Sequence, residues 1–217
     1  MEKALKQYPI ELIKVVLFGP ESTGKTTLSQ QLAEHYNTVW APEFARKYLQ
    51  EKWNNVRKVC EQKDIMPIAR GQMFLENTRA LKANKLLVCD TDLLETKVYS
   101  EQYYGGLVDP RLDEAAIANS YDMYFLTYID TPWDADDLRD RPDQRLEMFT
   151  AFEDTLKKYQ KPYIILKGSK DVRLTKAIET IDTLISEKQR LYCYSDTLID
   201  LDMHFMHPNP DHHSPID

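Results

Sequence analysis

Apolar positions collect into five short runs, at residues 14–18, 38–41, 85–90, 122–130 and 162–168, each bounded by polar or turn-forming residues. Longer mixed stretches separate them. The first of these, "TTLSQQLAEHY", places Leu28, Leu32 and Tyr36 on one stripe at helical spacing. Short apolar runs alternating with helical stretches predict an α/β domain with a mostly parallel sheet. In such sheets ligands lie beyond the carboxyl ends of the strands. Polar residues just past each apolar run are therefore the ones to examine.

The first run leads into "LFGPESTGKTTL", residues 17–28, where Gly19, four residues, Gly24, Lys25 and Thr26 form a phosphate-binding pattern. Glycines at both ends let the backbone wrap closely, so that consecutive N–H groups and the positive end of the next helix face phosphate oxygens. Gly19, Glu21, Ser22, Thr23, Gly24, Lys25, Thr26 and Thr27 are the expected ATP contacts. Lys25 would reach the outer phosphates, and the Thr26 hydroxyl would sit on a bridging Mg2+. The plain alternative is a glycine turn between strand and helix. The apolar run before the loop and the helical stripe after it favour a nucleoside-triphosphate site.

The other runs end on chemistry too. Glu43 follows the second, and Asp90 tips the third, where a carboxylate conventionally orients Mg2+ or its waters. Asp90 is alternatively an N-cap, because "DTDLLETKVYS" begins a helix. Past the fourth run, Arg139, Arg141 and Arg145 lie among Asp134, Asp136, Asp137, Asp140 and Asp143. Singly, each arginine reads as part of a solvated charge run; together they predict a lid at about residues 131–145 that neutralises transferring phosphate. Gly168 and Ser169, after the fifth run, lie where backbone meets an adenine.

A chain of 217 residues fits one domain, taken as residues 1–190 with a C-terminal tail at 191–217. Hydrophobic content of 42% and charged content of 29% are ordinary for a globular protein. A net charge of −7 gives no overall footprint for nucleic acid. No apolar run is of membrane-spanning length, and "MEKALKQYPIELIK" lacks a signal-peptide core, so a cytoplasmic protein without membrane association is expected. Cys60, Cys89 and Cys193 are scattered and show no CxxC pair, which predicts reduced packing residues. His204, His207, His212 and His213 gather in the tail, as a metal-binding tract or simply a proline-broken terminus. Oligomeric state is not legible.

Five blocks in order, "GPESTGKTTL", "APEFARKYL", "DIMPIARGQ", "CDTDLLETKVY" and "DTPWDADDLR", resemble the ribosylnicotinamide kinase domain of NadR-type proteins over about residues 14–185. The resemblance implies a P-loop nucleoside kinase, a three-layer α/β/α fold with five parallel strands in the order 2-3-1-4-5. It implies transfer of the γ-phosphate of ATP, with Mg2+, to the 5'-hydroxyl of nicotinamide riboside. NadR-type proteins usually carry an adenylyltransferase domain ahead of the kinase. Here 18 residues precede Gly19 and no HxGH motif occurs, so the product is expected to stop at the mononucleotide and no repressor function is expected. Asp137 stands where the family commonly has glycine, a change expected to bear on lid closure and on Arg139.

A sugar hydroxyl needs a positioned proton acceptor, and Glu43 is the first candidate because related nucleoside kinases place an acid there. The alternative for Glu43 is an ion pair with Arg46 or Lys47. Asp90 is the second candidate base, though assigned to Mg2+. Lys25, Glu43, Arg139 and Arg141 make up the expected catalytic set. Glu43, Arg46, Gln72, Asp92, Tyr103 and Trp133 are expected at the substrate, with Asp92 on ribose hydroxyls and Gln72 as a polar contact. Tyr99 and Tyr104 join Tyr103 and Trp133 as candidate aromatic faces for a cationic ring. Rival readings are another nucleoside or deoxynucleoside kinase, a regulatory GTPase or non-catalytic NTP-binding switch module, and a nucleic-acid remodelling ATPase. The GTPase lacks its NKxD motif, "NKLL" at 84–87 being the nearest approach, and the ATPase sits poorly with an acidic, small chain.

Overall fold

The computed structural model describes residues 1–139 and 141–206, with side chains described as far as Arg190. Asp140, Cys193 and the tail histidines His204, His207, His212 and His213 fall outside what is described at side-chain level. The residues group into two compact units, Met1–Ile178 and Glu179–Asp217. The first holds the whole sheet and every candidate residue discussed below.

Five parallel strands, β1 (Ile13–Phe18), β2 (Trp40–Ala41), β3 (Leu86–Asp90), β4 (Met123–Thr127) and β5 (Tyr163–Leu166), lie in the order β2-β3-β1-β4-β5. This is the expected topology. All six residues of β1 are buried, as a strand in the middle of a parallel sheet requires, and this is why its sequence reads as a continuous apolar run. Around the sheet run α1 (Lys25–His35), α2 (Phe44–Val56), α3 (Ile65–Ala80), α4 (Leu93–Tyr103), α5 (Pro110–Ala118) and α6 (Arg145–Lys158), and a last helix, α7, spans Lys170–Met206. Phe18 meets Tyr124 and Phe152 edge-on, with ring centroids 5.4 and 4.9 Å apart, and so ties β1 to β4 and α6. Cys60 and Cys89 are both free thiols, and burial pushes the Cys89 thiol well up.

The strands are shorter than the apolar runs. β4 stops at Thr127 rather than at 130, because its partner β1 ends at Phe18 and leaves the sheet as the phosphate loop. Beyond Thr127 the chain serves other ends: Asp130 accepts a 2.6 Å hydrogen bond from Gly168 N–H and pairs with Arg173. β2 keeps two paired residues, since as an edge strand it has β3 alone for a neighbour. Its register, Ala41 beside Cys89, sets residues 42–43 next to the tip of β3, while Leu17 beside Asp90 sets that tip next to the loop after β1. Three strand tips thereby converge.

Candidate active site

The loop between β1 and α1 turns on Gly19 (φ +130°) and Gly24 (φ +85°), conformations that side-chain-bearing residues rarely adopt. A Cβ on Gly19 would also stand 3.0 Å from Thr127 Oγ1. Gly24 faces open space. Thr23 Oγ1 lies 2.7 Å from both Pro20 O and Thr127 Oγ1, pinning the loop to the end of β4. Lys25 opens α1 and is buried, and its Nζ donates to Gly19 O at 2.6 Å and Pro20 O at 2.9 Å. It also pairs with Glu95 at 3.2 Å. Burial works against the Lys25 charge, but Glu95, with Glu43 and Asp90 behind it, raises its pKa on balance.

Glu95 is a site residue that sequence reading missed. It lies in the first turn of α4, and its Oε2 accepts the Gly19 N–H at 3.2 Å. A signal existed, because Asp92 and Glu95 stand at capping-box spacing. Asp92 does cap α4, accepting from Glu95 N at 2.9 Å, yet the Glu95 carboxylate turns to the phosphate loop.

Thr26, Glu43 and Asp90 line one cleft of about 400 Å³, together with Pro42 and Arg46. Thr26 Oγ1 donates to Asp90 Oδ2 at 2.6 Å, and the buried Asp90 Oδ1 has no hydrogen-bond partner in the protein. An orphaned carboxylate oxygen beside a threonine hydroxyl suits Mg2+, which takes one or two carboxylates and completes its shell with phosphate and water. Among the described residues no cluster of three or more His, Cys, Asp or Glu is arranged to hold a metal without such help. Burial, and next the Glu43 carboxylate, push Asp90 up to about 7. The N-cap alternative for Asp90 falls to Asp92 instead.

Glu43 is the N-cap residue of α2 but makes no capping hydrogen bond, so its carboxylate is not spent on the helix. The alternative ion pair does not form as supposed: Arg46 pairs with Asp136, and Lys47 with Glu51 at 3.9 Å. Gln72, expected at the substrate, braces this corner from beneath. Its side-chain oxygen accepts from Phe44 N at 2.7 Å and its nitrogen donates to Pro42 O at 3.3 Å, bracketing Glu43. Next to it Gly71 leaves room for the Phe44 ring, which a Cβ would meet at 2.2 Å.

Other expected contacts fall elsewhere. Asp92 is buried with both oxygens engaged, one capping α4 and the other accepting from Tyr124 OH at 2.8 Å, so ribose hydroxyls do not meet it in this arrangement. Tyr103 and Trp133 do come together, with Tyr99, Pro20, Glu21, Arg141 and Arg145, around a second, narrow cavity beside the loop. The Arg141 guanidinium stacks 3.7 Å from the Tyr103 ring centroid. Tyr104 lines neither cleft and lies by Cys60.

The arginines of the expected lid divide. Arg139 is held within its own segment by Asp134 and Asp136. Arg145, at the start of α6, reaches the phosphate loop, donating to Ser22 O at 3.3 Å and to Thr131 O at 2.8 Å, with Trp133 over its guanidinium. Thr131 Oγ1 donates to Ser22 O, and Ser22 Oγ accepts from Asp134 N, so residues 131–134 are docked on the loop.

Arg173 joins these ends. It is 4% exposed and donates to Thr23 O, Tyr128 O and Gly168 O while pairing with Asp130. Truncation would leave these groups without their partner. Arg173→Ala is expected to destabilise the fold by about 3 kcal/mol, read as a lower urea midpoint with an unchanged m-value. A midpoint equal to wild type would show that Arg173 does not hold the strand ends together.

The AAA domain family matches residues 14–173. The trifunctional NAD biosynthesis/regulator protein NadR of Salmonella typhimurium is 31% identical over 134 residues, 60% of this chain and 32% of the relative; its Escherichia coli counterpart matches equally. The chain thus covers about a third of those relatives' length. Among solved structures, a NadR protein in complex with NR superposes with a TM-score of 0.63 at 22% identity, over 79% of this chain and 51% of that one. Deoxyadenosine kinase from M. mycoides with bound dATP gives 0.54 at 14%, over 78% and 99%. At these identities the structural likeness establishes the fold.

Proposed function

We propose, on the premise that this chain belongs to the AAA domain family, that it is an ATP-dependent nicotinamide riboside kinase, moving the ATP γ-phosphate to the 5'-hydroxyl to give nicotinamide mononucleotide. The observation that carries a kinase reading is the single cleft into which Thr26, Glu43 and Asp90 all open beside the phosphate loop. The choice of acceptor draws support from the 31% identical relatives, named for NAD biosynthesis, and from the NadR structure that holds NR.

In this reading Glu43 accepts the 5'-hydroxyl proton as that oxygen bonds to the γ-phosphorus, and the bond to the β,γ-bridging oxygen breaks to leave ADP. Lys25 and the lid arginines meet charge on the transferring group. Thr26 and Asp90 would hold Mg2+, which when bound neutralises the β- and γ-phosphate oxygens. Gln72 and the Phe44 ring keep Glu43 on the cleft side of α2.

The test is ATP consumption with nicotinamide riboside, thymidine, deoxycytidine and adenosine as acceptors, with the product identified. Nicotinamide riboside is expected to give the highest kcat/KM and the mononucleotide. Preference for a deoxynucleoside would replace the acceptor while leaving the transfer chemistry in place.

For the lid, Arg145→Ala is expected to lower kcat by about 10 to 1000-fold, with a smaller effect on ATP affinity. Arg139→Ala should cost less, because its charge is engaged by Asp134 and Asp136. A larger kcat loss in Arg139→Ala than in Arg145→Ala would return the leading role to Arg139. Hydrogen exchange over residues 131–145 should slow with an ATP analogue plus riboside, and unchanged exchange would count against a lid.

A further inference from the structure

The Lys25 ammonium is occupied by groups of the protein. Two are carbonyls of its own loop, Gly19 O and Pro20 O, and the third is Glu95. Glu95 is 3% exposed and clamped at its other oxygen by the Gly19 N–H. The remaining charged groups that face it are Glu43 at the start of α2, Asp90 at the tip of β3 and Asp92 before α4, all carboxylates; Tyr99 faces it from its own helix. Lys25 is the cation that balances Glu95, and none of the other groups named can take its place.

We propose that Glu95 is the resting counter-ion of Lys25, and that nucleotide binding draws the ammonium onto the phosphates while Glu95 takes up a proton from solvent. The inference rests on the nucleotide-site reading of the loop and not on the choice of acceptor. The ammonium–carboxylate contact breaks, an ammonium–phosphate contact forms, and a solvent proton converts the carboxylate to a carboxylic acid. Burial already pushes Glu95 well above the usual carboxylate range, and Lys25 is the influence holding it down. A carboxylate left buried among other carboxylates, with phosphate arriving, is more stable neutral. The Gly19 N–H has an acceptor in either form, since the carbonyl oxygen of the acid serves as well. Glu95 thus acts as a positioning residue for Lys25 rather than as a catalytic one.

The experiment is calorimetric titration of the whole chain with ADP in EDTA, without Mg2+, in buffers of different ionisation enthalpy. Leaving the metal out keeps Asp90 coordination out of the proton count. Between about pH 7.5 and 9, where ADP is fully ionised, the wild type is expected to take up about one proton per ADP bound. Its Kd should then rise by up to about tenfold per pH unit. Glu95→Gln keeps an oxygen for Gly19 N–H and loses the charge, so its proton uptake should vanish, its Kd should become flat with pH and its affinity should tighten. Binding without proton uptake in the wild type, or undiminished uptake in Glu95→Gln, would overturn the proposal. Absence of uptake in the wild type overturns the proposal whether or not Glu95→Gln folds, and retention of the uptake in Asp90→Asn excludes Asp90, itself pushed up to about 7, as its source. No heat of binding at all, with ADP bound by no other measure, would instead remove the nucleotide-site reading beneath it.

Discussion

Glu43→Gln is expected to lower kcat by about 100 to 10000-fold, while ATP and Mg2+ affinities stay near those of the wild type. Glutamine keeps the shape and hydrogen-bonding reach of the side chain and loses only the proton acceptor. Because Glu43 makes no capping bond to α2, the loss should not be masked by a failing helix. Asp90→Asn supplies the contrast: if Asp90 orients Mg2+ through its unpartnered oxygen, the Mg2+ needed for half-maximal rate should rise and activity should partly recover at high metal. Near wild-type turnover in Glu43→Gln, with Asp90→Asn dead at every Mg2+ concentration, would make Asp90 the base.

The second large effect is at Lys25. Lys25→Ala should cost about 1000-fold in kcat/KM, since no other ammonium lies within the loop. The variant also strands Glu95, and this gives a reading independent of activity. Glu95 has its folded pKa raised above the unfolded value by burial, and without Lys25 it is raised further. A folded state that binds more protons than the unfolded one loses stability as pH rises. Lys25→Ala should therefore melt progressively lower than wild type from acid toward alkaline pH, and Glu95→Gln in the same background should abolish that dependence. A constant difference in melting temperature across pH would mean that Lys25 does not hold the Glu95 pKa down. Near-normal turnover in Lys25→Ala would remove the phosphate-loop assignment.

What could be read from the chain follows the range of the interactions. β1, the loop and α1 were legible to within a residue or two, because a continuous apolar strand, paired glycines and a helical stripe are local signals. Asp90 and Glu43 were legible as strand-end residues because parallel sheets place ligands there. Overlong strands came from apolar residues past Thr127 that pack with no partner on β1: Tyr128 and Ile129 lie against the core beyond its end. Tertiary roles were not legible. The spacing of Asp92 and Glu95 predicts a local cap, and nothing nearby in sequence says that the Glu95 carboxylate instead accepts from Gly19 N–H, 76 residues away. Gln72 reads as a helical polar residue, yet it meets the backbone around Glu43 across 28 residues. Arg145 and Arg139 look alike in a charged segment, and only the docking of Thr131 on Ser22 separates them.

The bracing of Glu43 has an evolutionary corollary. On the proposed reading, phosphate-donor groups are carried by the β1–α1 junction, whereas the acceptor side belongs to α2, seated on α3 through Gln72 and the space at Gly71. Lineages can therefore exchange the outward residues of α2, among them Lys47, Gln50 and Asn54 on the wall of the cleft, and drift toward new acceptors without disturbing ATP use. Position 71 is barred from that drift. A side chain there would collide with the Phe44 ring, one residue from Glu43, so diversification should spread around a fixed glycine.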